Sequence, residues 1–278
     1  MTRQKSALLY LCGHPGTGKT STLNYVLSGF KSGNIGANLL YKLSVHMYNA
    51  MSFRDVKSFC FQLLEDLSLH LTGKPFASDK SKELKKKDID DDEVSNMVAR
   101  MLSHQPDSTK IIVIDEIDAF EAQENAFRTM TKAILASKTN CIVIGIANSV
   151  DLPFKKKHSA IAMRDAQLLF EPYSEEQIIT IIEEKVNKRF TSFPMKLKVS
   201  PYRDIFFELL DDKGMDMIAK KVSKMNGDVR VAFDLIKSSF VELFNRVKYV
   251  NGDKIHERKD DSELPPDEKL KISFDIVR

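Results

Sequence analysis

The run Gly13-His14-Pro15-Gly16-Thr17-Gly18-Lys19-Thr20-Ser21 sets three glycines, a lysine and three hydroxyls within nine residues. Glycines let the backbone curl until successive N–H groups face one point, which suits an anion. A lysine behind them supplies a point charge, and a hydroxyl supplies a ligand for a hard cation. That chemistry belongs to a phosphate-binding loop, with Lys19 reaching the β- and γ-phosphates and Thr20 holding Mg2+. All nine residues are therefore candidate nucleotide contacts.

Acids form the second group. In residues 110–118 four apolar residues of strand type run into Asp115-Glu116. A strand buried on both faces would present those carboxylates at its C-terminal edge, where the glycine loop also lies. Asp115 would then bind Mg2+, usually through water, and Glu116 would orient and deprotonate an attacking water. Asn148 follows a further apolar run, residues 141–147. If that strand lies between the loop strand and the acid strand, Asn148 emerges beside the γ-phosphate and can position the lytic water. Its alternative is a turn-forming asparagine.

Two arginines complete the set. Arg230 follows a helix stop at Gly227 and an N-cap at Asp228. A cation in a first helical turn opposes the dipole, so an anion should compensate it, and the γ-phosphate is the one expected. Arg164 is the only arginine between Asn148 and the short strand at residues 167–170. It could stabilise charge on a neighbouring subunit's nucleotide; a plain surface arginine is the other reading.

These residues need a scaffold. Ala7 to Leu11 reads as the strand before the loop and residues 21–27 as the helix after it; residues 39–45 read as a second strand. Ser52 can cap a helix carrying Phe53, Val56, Phe59, Cys60, Leu63, Leu64 and Leu67 on one face. Residues 78–93 are almost wholly charged and read as a solvated, partly flexible insertion. A helix through Val94, Met97, Val98 and Met101 precedes the acid strand. After Pro172-Tyr173 strand signals largely vanish. Ser174 and Gln177 fit a capping box, Ile178, Ile181, Ile182 and Val186 form a helical face, and a final long helix carries Phe233, Ile236, Phe240 and Leu243. Residues 251–269, with Pro265-Pro266, read as a linker.

At 278 residues and 42% hydrophobic content the chain can bury a core. A net charge of +3 does not by itself argue for nucleic acid. Cys12, Cys60 and Cys141 are odd in number and sit in or beside apolar runs, which fits reduced core thiols rather than disulfides or zinc ligands. No apolar run approaches the roughly 18 residues a bilayer span needs, so no membrane partner is expected.

Together these motifs resemble the AAA+ ATPases, and within them the replication-initiator clade of the origin-recognition large subunit and cell division control protein 6, the latter being nearer. The narrower resemblance rests on residues 9–20, on Asn49-Ala50-Met51-Ser52, and on residues 144–152, 167–173 and 221–230. It implies an α/β fold: a P-loop AAA+ core with about five parallel strands sandwiched by helices over residues 1–172, then a small all-helical lid over residues 173–250. Residues 251–278 would lead toward a winged-helix domain that begins where this chain ends. The activity implied is slow, partner-stimulated Mg-dependent ATP hydrolysis, with ATP or ADP and Mg2+ as cofactors. Residues 13–21, Tyr173 and Arg230 would bind nucleotide, Thr20 and Asp115 the metal, and Glu116, Asn148, Arg230 and Arg164 would act in catalysis.

The implied role is replication licensing, in the nucleus if the source is a eukaryote and in the cytoplasm otherwise, with origin recognition complex subunits, the helicase loading machinery and double-stranded DNA as partners. Residues 44–57 are a candidate DNA contact through Arg54 and Lys57, the alternative being a core-packing helix. Three departures stand out. The family's segment that helps enclose adenine before the first strand is missing. The region around Arg164 is shorter than the family's and lacks its usual serine before that arginine. The family's winged-helix domain would begin where this chain ends, so this stretch should bind DNA poorly. A clamp-loader-like remodelling subunit and a non-hydrolysing chromatin scaffold are the competing functions.

Overall fold

The computed structural model describes residues 6–32, 43–73, 76, 89–104, 108–137, 139–149, 166–191, 210 and 212–250. Arg164, the insertion up to residue 88 and the linker from 251 lie outside the described residues.

Alternate residues of the strand Thr109–Asp115 (β3) point to opposite faces, and all four of Ile111, Ile112, Val113 and Ile114 are buried. Ile112 and Ile114 join one apolar cluster, Ile111 and Val113 another. Such a strand needs neighbours on both sides and cover on both faces. Its neighbours are Leu43–Asn49 (β2) and Asn140–Ala147 (β4), and beyond β4 come Ala7–Gly13 (β1) and Ala166–Phe170 (β5). The five strands run parallel in the order β2-β3-β4-β1-β5. The expected α/β sheet is therefore present, with β4 between the loop strand and the acid strand.

Helix Lys19–Lys31 (α1) contributes Leu23 and Leu27 to one face. Helices Val56–Thr72 (α2), Asp91–Ser103 (α3) and Glu124–Ala136 (α4) contribute to the other, where Phe59, Leu63, Leu64, Leu67, Val98 and Phe127 are buried. All three cysteines are buried and unbonded to one another. Burial pushes the Cys60 and Cys141 thiols up to about 12, so both stay protonated and unreactive.

Three local expectations change. β2 runs on to Asn49 rather than stopping at Val45. Ser52 does not cap α2; it ends a short turn, Ala50–Ser52, and the cap is Asp55. The Asp55 carboxylate accepts the Ser58 amide at 2.7 Å while the Ser58 hydroxyl answers the Asp55 amide at 3.2 Å, a reciprocal box that satisfies two helix-end donors. The acids ending the charged stretch are likewise not solvated loop. Asp90 caps α3 by accepting the Glu93 amide, and Asp91, Asp92 and Glu93 fill its first turn, where negative charge suits the helix dipole. Lys57 donates to the Ile89 carbonyl, and α2 buries Val56, Phe59 and Cys60, so this helix is a packing element.

At the β2 edge, His46 and His70 meet edge to face with ring centroids 5.7 Å apart. Beside them Tyr48 donates to Asp66 at 2.7 Å, and Gln62 donates to the same carboxylate at 3.0 Å. His46 Nε2 is buried with no hydrogen-bond partner among the described residues. Burial first, and then the neighbouring His70, hold the His46 pKa below 6.5, against a smaller upward pull from Asp66. The unfolded chain therefore takes up a proton near pH 6.5 that the folded chain resists. Stability should be full above that pH and fall as pH drops below it. Melting temperature measured from about pH 7.5 down to about pH 5.5 should decline less steeply for His46→Gln than for the unsubstituted protein; identical slopes would remove His46 from the account.

A second compact unit takes in Pro15–Thr17 and the chain from Glu171 on. Its described helices are Glu175–Thr191 (α5), Asp212–Met225 (α6) and Val229–Val250 (α7), closing on Ile178, Ile182, Ile218, Val222, Ala232, Ile236 and Leu243. The expected capping box forms at α5: the Ser174 amide donates to Gln177 Oε1 at 3.0 Å, and the Gln177 amide to Ser174 Oγ at 3.3 Å. Tyr173 is half-buried against this core.

Candidate functional site

Parallel register brings the C-terminal ends of β1, β3 and β4 to one edge of the sheet, since Leu9 pairs with Ile144 and Val113 with the same residue. From β1 the chain turns through the glycine loop into α1. Gly18 precedes that helix at φ 84, a left-handed backbone that a side chain would strain. No described side chain caps α1, and its first turn carries no acid. The leading N–H groups and the positive end of the dipole are thus left for an anion.

Lys19 is buried. Its Nζ donates to the carbonyls of Gly13 and His14, both at 2.8 Å, and to Asn148 Oδ1 at 3.2 Å. Thr20 Oγ1 donates to Asp115 Oδ2 at 2.9 Å. A hydroxyl and a carboxylate held this close are hard oxygen donors of the kind Mg2+ selects, so the residues fit the metal the loop implies. Thr20 and Asp115 would hold it, and bound there it would neutralise phosphate charge.

Glu116 follows Asp115 with φ 55, an uncommon backbone for a residue with a side chain, and its amide donates to Asp115 Oδ1 at 3.0 Å. This turn swings the Glu116 carboxylate toward Asn148, whose Nδ2 donates to Oε2 at 2.5 Å. Asn148 therefore bridges Lys19 and Glu116. Lys19, Thr20, Asp115, Glu116 and Asn148 come together as the sequence leads one to expect.

Asp118 is a residue whose contact the sequence reading missed. Its Oδ2 accepts the Asn148 backbone N–H at 2.7 Å. An acid two places after Glu116 was the available signal, but nothing local connects it with a residue on another strand.

In the second unit Gly227 ends α6, its amide reaching the Val222 carbonyl at 3.0 Å. Asp228 Oδ1 then accepts the Arg230 amide at 2.9 Å, as an N-cap does. The same carboxylate takes the Arg230 side chain: Nε lies 3.0 Å from Oδ1 and Nη2 lies 2.7 Å from Oδ2. The anion that the position of Arg230 demands is thus supplied here by Asp228.

A phosphate loop at the end of one central strand, an Asp-Glu pair at the end of another and an asparagine on the strand between them define a nucleotide-binding site of the P-loop ATPase class. Residues 2–152 match the family described as AAA domain, and the chain belongs to that ATPase family.

Its relatives include replication proteins. It is 28% identical over 249 residues to the human Cell division control protein 6 homolog, covering 88% of this chain and 38% of that protein. To human Origin recognition complex subunit 1 it is 22% identical over 236 residues, covering 82% and 23%. In fold it is similar to the Aeropyrum pernix ORC1 protein solved in complex with DNA: TM-score 0.58, 19% identity, 98% of this chain and 58% of that one. It also resembles a chain of Drosophila ORC bound to DNA: TM-score 0.55, 21% identity, 88% and 52%. The chain spans about two fifths of the length of the cell division control relatives it matches. No described helix is long and apolar enough to cross a membrane.

Proposed function

We propose that this chain is the nucleotide-binding module of a DNA replication initiation factor that binds Mg-ATP and hydrolyses it slowly. The observation that carries the reading is the convergence of Lys19, Thr20, Asp115, Glu116 and Asn148 on one sheet edge. Glu116 is the general base, Asn148 positions the water, Thr20 and Asp115 hold the metal, and the glycine loop takes the phosphates. Arg230 reads the γ-phosphate, and Tyr173 adds a nucleotide contact, as the family resemblance implies.

The relatives' names support the biological setting. In this reading the whole protein, nuclear if its source is a eukaryote, joins origin recognition complex subunits on duplex DNA and helps the loading machinery place the replicative helicase. A domain beyond residue 278 supplies most of the DNA contact. Arg54, whose side chain is 92% exposed, is the residue of the 44–57 stretch best placed to add to it.

The test is fluorescence-anisotropy binding of the full-length protein, with its recognition-complex partner, to origin-type duplex DNA with and without Mg-ATP. Nucleotide should tighten binding, and Arg230→Ala should remove that gain. Binding indifferent to both would move a clamp-loader-like remodeller ahead.

A further inference from the structure

The Asn148 side chain touches both the lysine of the glycine loop and the base, so whatever fixes Asn148 governs the alignment of both. Two contacts tie it to the turn after β3. Its Nδ2 donates to Glu116, and its backbone N–H donates to Asp118 Oδ2. Because Glu116 and Asp118 flank one residue, the contacts close a ring through Ile117.

Ile117 is wholly buried and anchors that ring. Opposite it β4 carries Gly145, where any Cβ would lie 2.7 Å from Ile117 Cδ1, so β4 leaves room for the anchor. A backbone carbonyl would serve as well as a carboxylate if the amide of Asn148 merely needed an acceptor. Instead a charged group is used, and its second oxygen, Oδ1, is buried with no hydrogen-bond partner among the described residues. Asp118 as a whole is partly exposed, but a buried carboxylate oxygen left without a partner calls for an explanation, and a role in function is one.

We propose that Asp118 is a positioning residue for ATP hydrolysis. By holding the Asn148 amide it keeps the Asn148 side chain between Lys19 and Glu116, so that the base faces the reacting water. The proposal rests on the hydrolytic reading above and adds a residue to it.

The test uses the full-length protein. Turnover at saturating Mg-ATP and affinity for a fluorescent ATP analogue are measured for Asp118→Ala, Asp118→Asn, Asn148→Ala, the Asp118→Ala/Asn148→Ala double variant and Glu116→Gln. Asp118→Ala should lower kcat roughly 10- to 100-fold, the scale of a small misalignment, with nucleotide Kd within about twofold. Asp118→Asn keeps an acceptor oxygen for the amide and should recover most of the rate. The double variant should be no slower than Asn148→Ala alone, because both act through one contact.

Unchanged kcat in Asp118→Ala, multiplicative losses in the double variant, or parallel losses of rate and affinity without rescue by asparagine would each overturn the proposal. Glu116→Gln separates the two ideas. If it is inactive while Asp118→Ala is unimpaired, only the role of Asp118 falls. If it turns over normally, Glu116 is not the base, and the proposal, which aligns that base, falls with that role.

Discussion

Glu116→Gln should bind Mg-ATP as tightly as the unsubstituted protein yet hydrolyse it roughly 100-fold more slowly or worse, the scale of a lost general base. The substitution keeps size, polarity and the left-handed backbone at this position, so it should leave the fold intact. It also keeps a polar partner for Asn148 Nδ2, because a glutamine oxygen accepts as a carboxylate oxygen does. What it removes is basicity. A burst-free turnover assay beside an equilibrium titration separates these effects, and hydrolysis at the normal rate would show that Glu116 is not the base.

Lys19→Ala should act on the other parameter. The ammonium is buried among two loop carbonyls and Asn148 Oδ1, which hold it where a phosphate would arrive. Its loss removes the strongest point charge on that side of the ligand. Affinity for Mg-ATP should fall about 100-fold, or about 2.8 kcal/mol at 1.4 kcal/mol per tenfold. The carbonyls of Gly13 and His14 would also lose a donor, so the melting temperature should drop even without nucleotide. Titration with a fluorescent ATP analogue reads the first effect; a Kd within about threefold of normal would mean that the loop does not rely on this lysine for phosphate.

The contrast between these variants reflects what a sequence makes legible. The glycine loop, the Asp115-Glu116 pair and Asn148 are each written within a few consecutive residues, and each sits where an apolar run ends. Strand order follows once β4 is read as the strand that brings Asn148 beside Lys19. The start of α2 is different. Ser52, Asp55 and Ser58 can all serve as caps, and the choice falls on Asp55 with help from Gln123, whose Oε1 accepts the Val56 amide at 2.7 Å. That partner is 67 residues away, so no local rule selects it.

The acids at 90–93 mislead for a related reason. Charge density reads as solvation until a buried helix face follows immediately, and then the same acids are a favourable first turn. The contact between Asp118 and Asn148 joins residues 30 apart across two strand ends, and only the folded topology brings them together. The backbone of Glu116 at φ 55 leaves no mark in residue type either, since glycine or asparagine would be the usual signal.

The placement of β1 in the sheet bears on how the protein is made. This strand is synthesised well before its partners: among the described strands it pairs with β4 and β5, whose residues follow it by about 135 positions or more. At roughly 5–20 residues per second the delay is on the order of ten seconds. Throughout it the segment bearing the glycine loop has apolar residues with no sheet to join, while β2 and β3, nearer in sequence, can already pair. Completion of the nucleotide site is therefore coupled to synthesis of β4 and β5, and until then the nascent chain is most open to chaperone capture around β1.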